Sequence, residues 1–234
     1  EWNMNHNRKI YQSGIILGLI GPLIMAIGML SAAFGYSGVA GQPYNPLNHF
    51  VSELGELAVS DLSWAFNGGL IIGGLLTAGF MVILALQLDS WLKYPMSVLG
   101  VVTALAATAV GIFPMDHLGP HITAAMAFFN LGMFLSFAYS IIILFTRKHN
   151  FPKWLAIPGF INALLFLGFL NLPGGEEMSE EGVDALEAFH EMMTNRPDVL
   201  PLAVMEWAVV LGILLWLLML GGYLVWQQRI AKNV

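Results

Sequence analysis

Six long apolar stretches, divided by short polar breaks, run through the 234-residue chain at about 12–34, 62–88, 94–113, 122–145, 154–172 and 199–226. Each exceeds the roughly 17 residues that a helix needs to cross a hydrocarbon core about 30 Å thick. Their polarity does not alternate with a period of two, so they predict helices. The fold class is therefore all-α: one polytopic domain, a bundle of six membrane-spanning helices. The first stretch outruns the apolar core of a cleaved signal, about 7–15 residues, and lacks a small-x-small exit, so it predicts a retained span.

Composition agrees with the pattern. The chain is 57% hydrophobic and only 10% charged, with a mean hydropathy of +0.72. A soluble domain carries about 25% charged residues. Absence of cysteine excludes disulfides, thiolate metal sites and a cysteine nucleophile. A nucleic-acid binder would carry a basic stripe, and none is present, so membrane lipids are the expected surroundings.

Charge then orients the spans. With six of them, both termini share a side, and Arg8, Lys9, Lys93, Arg147, Lys148, Lys153, Arg229 and Lys232 fall on it, leaving only Arg196 opposite. The positive-inside rule places those termini and short turns in the cytoplasm. Of the 15 acidic residues, only Glu1 and Asp89 lie on the basic side. The outward side holds the 35–61 loop, the tight 114–121 turn and the acidic 173–198 loop. Gly14 with Gly18, and Gly69 with Gly73, are spaced for close helix packing within the bundle.

Candidate chemistry concentrates on that outward side. In the 35–61 loop, Pro46 ends any extension of the first span, Asn48 suits an N-cap and Gly55 a stop, which predicts a short helix from His49. His49, Ser52 and Glu53 would then share a face at i, i+3 and i+4, a pattern that also fits a polar face turned to water. Asp116, His117 and His121 join the third span to the fourth. Pro120 suits the first turn of that helix and Gly119 lies just outside it, so His117 precedes it and the two imidazoles need not face one way. His121, in the first turn, meets the positive end of the helix dipole and is favoured neutral, as a metal ligand or general base requires.

Glu206, about two turns into the last span, is an intramembrane acid, which marks a functional site by default. Its structural alternative is a partner for Arg196 or a histidine. His190 lies in the acidic loop and reads as part of a solvated charge run. Asn130, Asn162 and Asn171 are expected to hydrogen-bond between helices.

Histidines, an aspartate and glutamates on one face have the composition of a zinc or similar divalent-metal site, which would activate a bound water. The set would be His49, Asp116 and His121 as ligands, with His117 as a substitute. Glu53 or Glu206 would act as acid or base, and Ser52 would stabilise an oxyanion. A Ser52 and His49 pair along one helix is poorly placed for nucleophilic catalysis and ranks below the metal site. The alternatives are a non-catalytic protein binding a lipid headgroup or small ligand, and a haem-binding electron carrier, for which the histidines lie too near the rim.

The run Ser52-Glu53-Leu54-Gly55, the Phe113-Pro114-x-Asp116 segment closing the third span, His121 opening the fourth and Glu206 in the last resemble the bacterial and archaeal membrane family called domain of unknown function 998. The resemblance extends over nearly the whole chain in topology and implies a multi-pass protein of the prokaryotic cytoplasmic membrane. That family is similar in outline to ceramidase and progestin-receptor-like membrane hydrolases, which implies a zinc-dependent hydrolase acting on a lipid-like substrate. This chain has six spans where those have seven, and no HxxxH in its last.

Overall fold

The computed structural model describes residues 2–38, 41–88, 90–146, 151–172 and 196–232. They form six α-helices: α1 (Trp2–Phe34), α2 (Ser63–Ala85), α3 (Lys93–Ile112), α4 (Leu118–Phe145), α5 (Ala156–Leu170) and α6 (Pro201–Lys232). Of three short 3-10 turns, Met115–His117 and Lys153–Leu155 lead into α4 and α5, and Val51–Gly55 lies within the loop between α1 and α2. All six spans are long and apolar enough to cross a membrane.

The apolar pattern located every span but not every helix end. α1 begins ten residues before its apolar stretch and α6 runs six past its own. A helix is closed by its backbone hydrogen bonds, which polar side chains permit as readily as apolar ones. At the start of α4 the helix takes in Gly119 and Pro120, while His117 precedes it as expected.

Because each span is apolar around its whole circumference, side-chain size distinguishes its faces. On α1, Ile16, Ile20, Leu23, Ile27, Leu30 and Phe34 recur at steps of four and three and stay exposed toward lipid. The opposite face carries glycines. A Cβ on Gly28 would collide with the carbonyl oxygen of Ala65, and one on Gly73 would stand 2.7 Å from that of Gly21. Gly14 meets Ile83, and Gly69 lies against Gly28, so the small residues serve packing between α1 and α2, the most extensively packed pair.

Each helix packs on its neighbours in sequence, and α6 returns to α1, so the six form a closed ring with alternating direction. The backbone of Gly221 in the second half of α6 lies against that of Gly18 midway along α1. The start of α1, the end of α6 and the described residues of the two short connections, 86–88, 90–92, 146 and 151–152, therefore share one end of the bundle. The other, here the loop end, carries the described residues 35–38, 41–62, 113–117, 171–172 and 196–200.

Polar residues within the spans find local partners. Asn162 Nδ2 on α5 donates to Ser136 Oγ on α4 at 3.0 Å. Asn130 and Asn171, expected to bridge helices as well, instead donate to the carbonyls of Met126 and Leu167 one turn back on their own helices.

Candidate functional site

At the loop end the 35–61 loop folds down onto the ring as a plug. Its 3-10 turn starts at Val51, and His49 lies outside it. The short helix expected from His49 forms as a 3-10 turn that begins two residues later and stops at Gly55 as expected; Glu53 is drawn inward and its Oε1 accepts the Phe50 N–H at 2.7 Å. Glu53 is wholly buried. Arg196 binds it through both nitrogens, at 2.8 and 2.7 Å, and donates to the Asn48 carbonyl at 2.9 Å. Tyr36 adds a hydroxyl donor at 3.0 Å. The fork of a guanidinium matches a carboxylate in this bidentate way, so the lone basic residue of this side pairs with Glu53, not with Glu206 as the sequence suggested.

Around this pair stands an aromatic wall. The Tyr44 hydroxyl donates toward the carbonyls of His49 and Phe50, at 3.1 and 2.8 Å, and accepts the indole N–H of Trp207 at 2.9 Å. Tyr36 packs edge-to-face on both Tyr44 and His49, and Tyr44 and His49 meet at a tilt, with ring centroids 5.1 to 5.4 Å apart. Burial pushes both tyrosine hydroxyls up from their ordinary pKa, with Glu53 adding to the effect at Tyr36 and Glu206 at Tyr44. They remain neutral donors.

His49 is buried, and its Nδ1 faces the Asn45 carbonyl at 3.1 Å and Asn48 Oδ1 at 2.8 Å. Both are acceptors, so Nδ1 carries the proton. Nε2 is enclosed without a partner. Burial lowers the pKa of His49, against a smaller opposing pull from Glu53. Glu56 is raised, first by burial and then by Glu53 and Asp116.

Two further contacts join the plug to the helices. Val51 N–H donates to Glu206 Oε2 at 2.6 Å, and the Ser52 amide and hydroxyl also face that carboxyl. Asp116 accepts the Leu57 N–H at 3.0 Å.

Beneath the plug lies a cavity of about 90 Å³, walled by α1, α2, α3, α4 and α6. Val51, Ser52, His121 and Glu206 line its upper end; Met81, Gly100, Leu135 and Leu217 line its lower end. Gly100 and Val110 both line it, and ten residues of helix measure about 15 Å, roughly half the hydrocarbon thickness. Apart from the upper groups, its polar lining residues are Thr77 and Thr103. Thr103 Oγ1 is spent on the Leu99 carbonyl, at 2.7 Å.

His121 is buried and its Nδ1 lies 2.8 Å from the Phe113 carbonyl. A carbonyl only accepts, so Nδ1 holds the proton and Nε2 the lone pair. Thus of the sequence-selected residues, Ser52, His121 and Glu206 meet at one cavity. Glu53 is saturated by donors above it. Among the expected metal ligands, Asp116 and His117 are exposed, while His49 is enclosed by tyrosines. Among the described residues no three His, Asp or Glu side chains gather as a metal would require, so the residues as placed do not fit a zinc centre. His190 lies outside the described residues.

Sequence reasoning passed over Tyr36, Tyr44 and the partner of Arg196. An isolated arginine on an acidic side was the available signal, since a buried carboxylate needs one.

Fold and site together define a six-span membrane protein whose ring of helices encloses a plugged, largely apolar cavity. The chain belongs to the family described as protein of unknown function DUF998, which matches residues 20–223. Neither the curated proteins nor the solved structures gave a match.

Proposed function

We propose that this protein takes up a lipid-like molecule, with its apolar chain in the ring cavity and its polar group at Ser52, His121 and Glu206. One observation carries this reading: a void reaching about 15 Å into the bundle has its ionisable lining groups at one end only. A water-filled pore would be polar along its length, whereas a site for an amphiphile is apolar with a few placed polar groups. The distribution of basic residues, eight against one, supports a loop end facing away from the cytoplasm.

A second reading, hydrolysis of that lipid, is favoured by the tautomer of His121. Its Nε2 lone pair could take a proton from water as the hydroxide adds to an ester or amide carbonyl. Ser52 would donate to the resulting oxyanion, and the proton would pass to the leaving group. No step requires a metal.

The test is lipid analysis of protein extracted into polymer-bounded membrane discs. Wild-type protein is expected to retain an enriched lipid that Ala107→Phe, which fills the cavity from α3, has lost while its unfolding temperature is kept. Equal lipid profiles for the two would overturn the binding reading. Hydrolysis predicts product release that His121→Gln abolishes and Ser52→Ala slows by about 10²-fold or more; turnover unchanged by both would remove it.

A further inference from the structure

The cavity's shape and the hydrogen-bonding character of its upper end narrow the ligand further, on the basis of the lipid-binding reading above. The centres of water-sized spheres have about 90 Å³ to move in; spread over about 15 Å this is a track about 1.4 Å in radius, and adding the sphere's own radius of about 1.4 Å gives a bore roughly 5–6 Å across, wide enough for one flexible chain and too narrow for a fused ring system or two chains side by side. Small residues of α3, Gly100, Ala104 and Ala107, leave room on one wall, and Met25, Met29 and Met81 stand among branched and aromatic side chains on the others; methionine adapts to an irregular chain better than a branched residue does.

The upper end selects by charge. No lysine or arginine lines the cavity, and the Arg196 guanidinium holds Glu53 in the plug with both nitrogens. An anionic head placed there would be a buried charge without a counter-ion, the costliest arrangement for a polar group. The groups at this end instead accept hydrogen bonds: the Nε2 lone pair of His121, left by the Nδ1 contact to Phe113, the Glu206 carboxyl, and the lone pairs of the Ser52 hydroxyl, whose proton faces Glu206.

We infer that the ligand is an uncharged single-chain amphiphile whose head donates hydrogen bonds, such as a monoacylglycerol or long-chain alcohol. Fatty acids and lysophosphatides are excluded by the cavity's own chemistry. Glu206 and Ser52 receive the head, and the apolar depth receives the chain.

Binding of tritiated monododecanoylglycerol to the full chain in lipid nanodiscs tests this, with dodecanol, dodecanoate at pH 8 and lysophosphatidate as competitors. Dodecanol is expected to displace the probe at concentrations at least tenfold below either anion. Ala107→Phe and, from the facing helix, Ala125→Leu should each abolish saturable binding at an unchanged unfolding temperature. Displacement by dodecanoate as readily as by dodecanol overturns the head-group inference and leaves lipid uptake standing. Absence of saturable binding by any of the four overturns both. Binding that survives both cavity-filling variants places the amphiphile elsewhere and likewise overturns the inference.

Discussion

Glu53 and Glu206 are both buried carboxyls at the loop end, yet they belong to opposite kinds of region. Glu53 sits in the plug, where a guanidinium fork, a phenol and a backbone N–H occupy its oxygens. Glu206 sits at the roof of the cavity, where a backbone N–H and the Ser52 groups meet it and apolar walls continue below. A saturated carboxylate has nothing left to offer a ligand. Its value lies in what it holds together: Tyr36 at the end of α1, Arg196 ahead of α6 and the turn between them. Glu206 has no cationic partner among the described contacts, and it borders space. Chemical type alone would have ranked them equally; the guanidinium on one and the cavity beside the other separate structure from candidate function.

The difference is sharpest in the variants that remove it. Arg196→Met leaves the Glu53 charge buried and unpaired, and should cost about 3–5 kcal/mol, seen as a large drop in the unfolding midpoint in nanodiscs. A cost under about 1 kcal/mol would mean that the pair does not hold the plug. Tyr44→Phe strips the acceptor from the Trp207 indole and a donor from two carbonyls, and should cost about 1–3 kcal/mol in the same assay. Asn162→Ala should cost about 0.6 kcal/mol and no more than about 1.7, whereas Asn130→Ala, which breaks only a bond within its own helix, should be close to neutral. Glu206→Gln should change stability by less than about 1 kcal/mol, because the amide oxygen still accepts the Val51 N–H, while altering competition between charged and uncharged amphiphiles. If Glu206→Gln proves as destabilising as Arg196→Met, the contrast between the two carboxyls collapses.

His49 supplies a pH dependence that belongs to the plug. Its folded pKa lies below the ordinary value of 6.5, so the unfolded chain takes up the proton first as pH falls. Stability is complete above about pH 6.5 and declines as pH drops from there toward the folded value. His49→Phe should flatten that slope in midpoints measured between pH 7.5 and 5; an unchanged slope would assign it to groups other than His49, and not to Glu56, whose raised pKa contributes the opposite sign.

Hydrophobic length located all six spans because the bilayer sets that length, and six helices follow from it. Helix ends were less legible, since the polar residues that begin α1 and end α6 carry no hydrophobic signal yet continue the same backbone bonds. For the site, local spacing placed His49, Ser52 and Glu53 on one helical face. The chain instead turns at Val51, because Glu53 is pulled inward by Arg196, 143 residues away. No periodicity encodes such a long-range pair. The expected clustering of His49, Asp116, His117 and His121 failed for a related reason: residues sharing one end of a bundle need not point to one place. Glu206 was legible because the cost of burying an acid within a span is independent of the fold.

The closed ring also has an order of assembly. A chain emerging from the ribosome forms its hairpins from the N-terminus onward, and each of the first five helices meets a neighbour as it arrives. Until α6 inserts, the cavity lacks one wall, Val51 has no Glu206 to bind, and Tyr44 has no Trp207. Lateral access from the surrounding lipid to the cavity is widest at that stage, and the final helix is the wall that closes it.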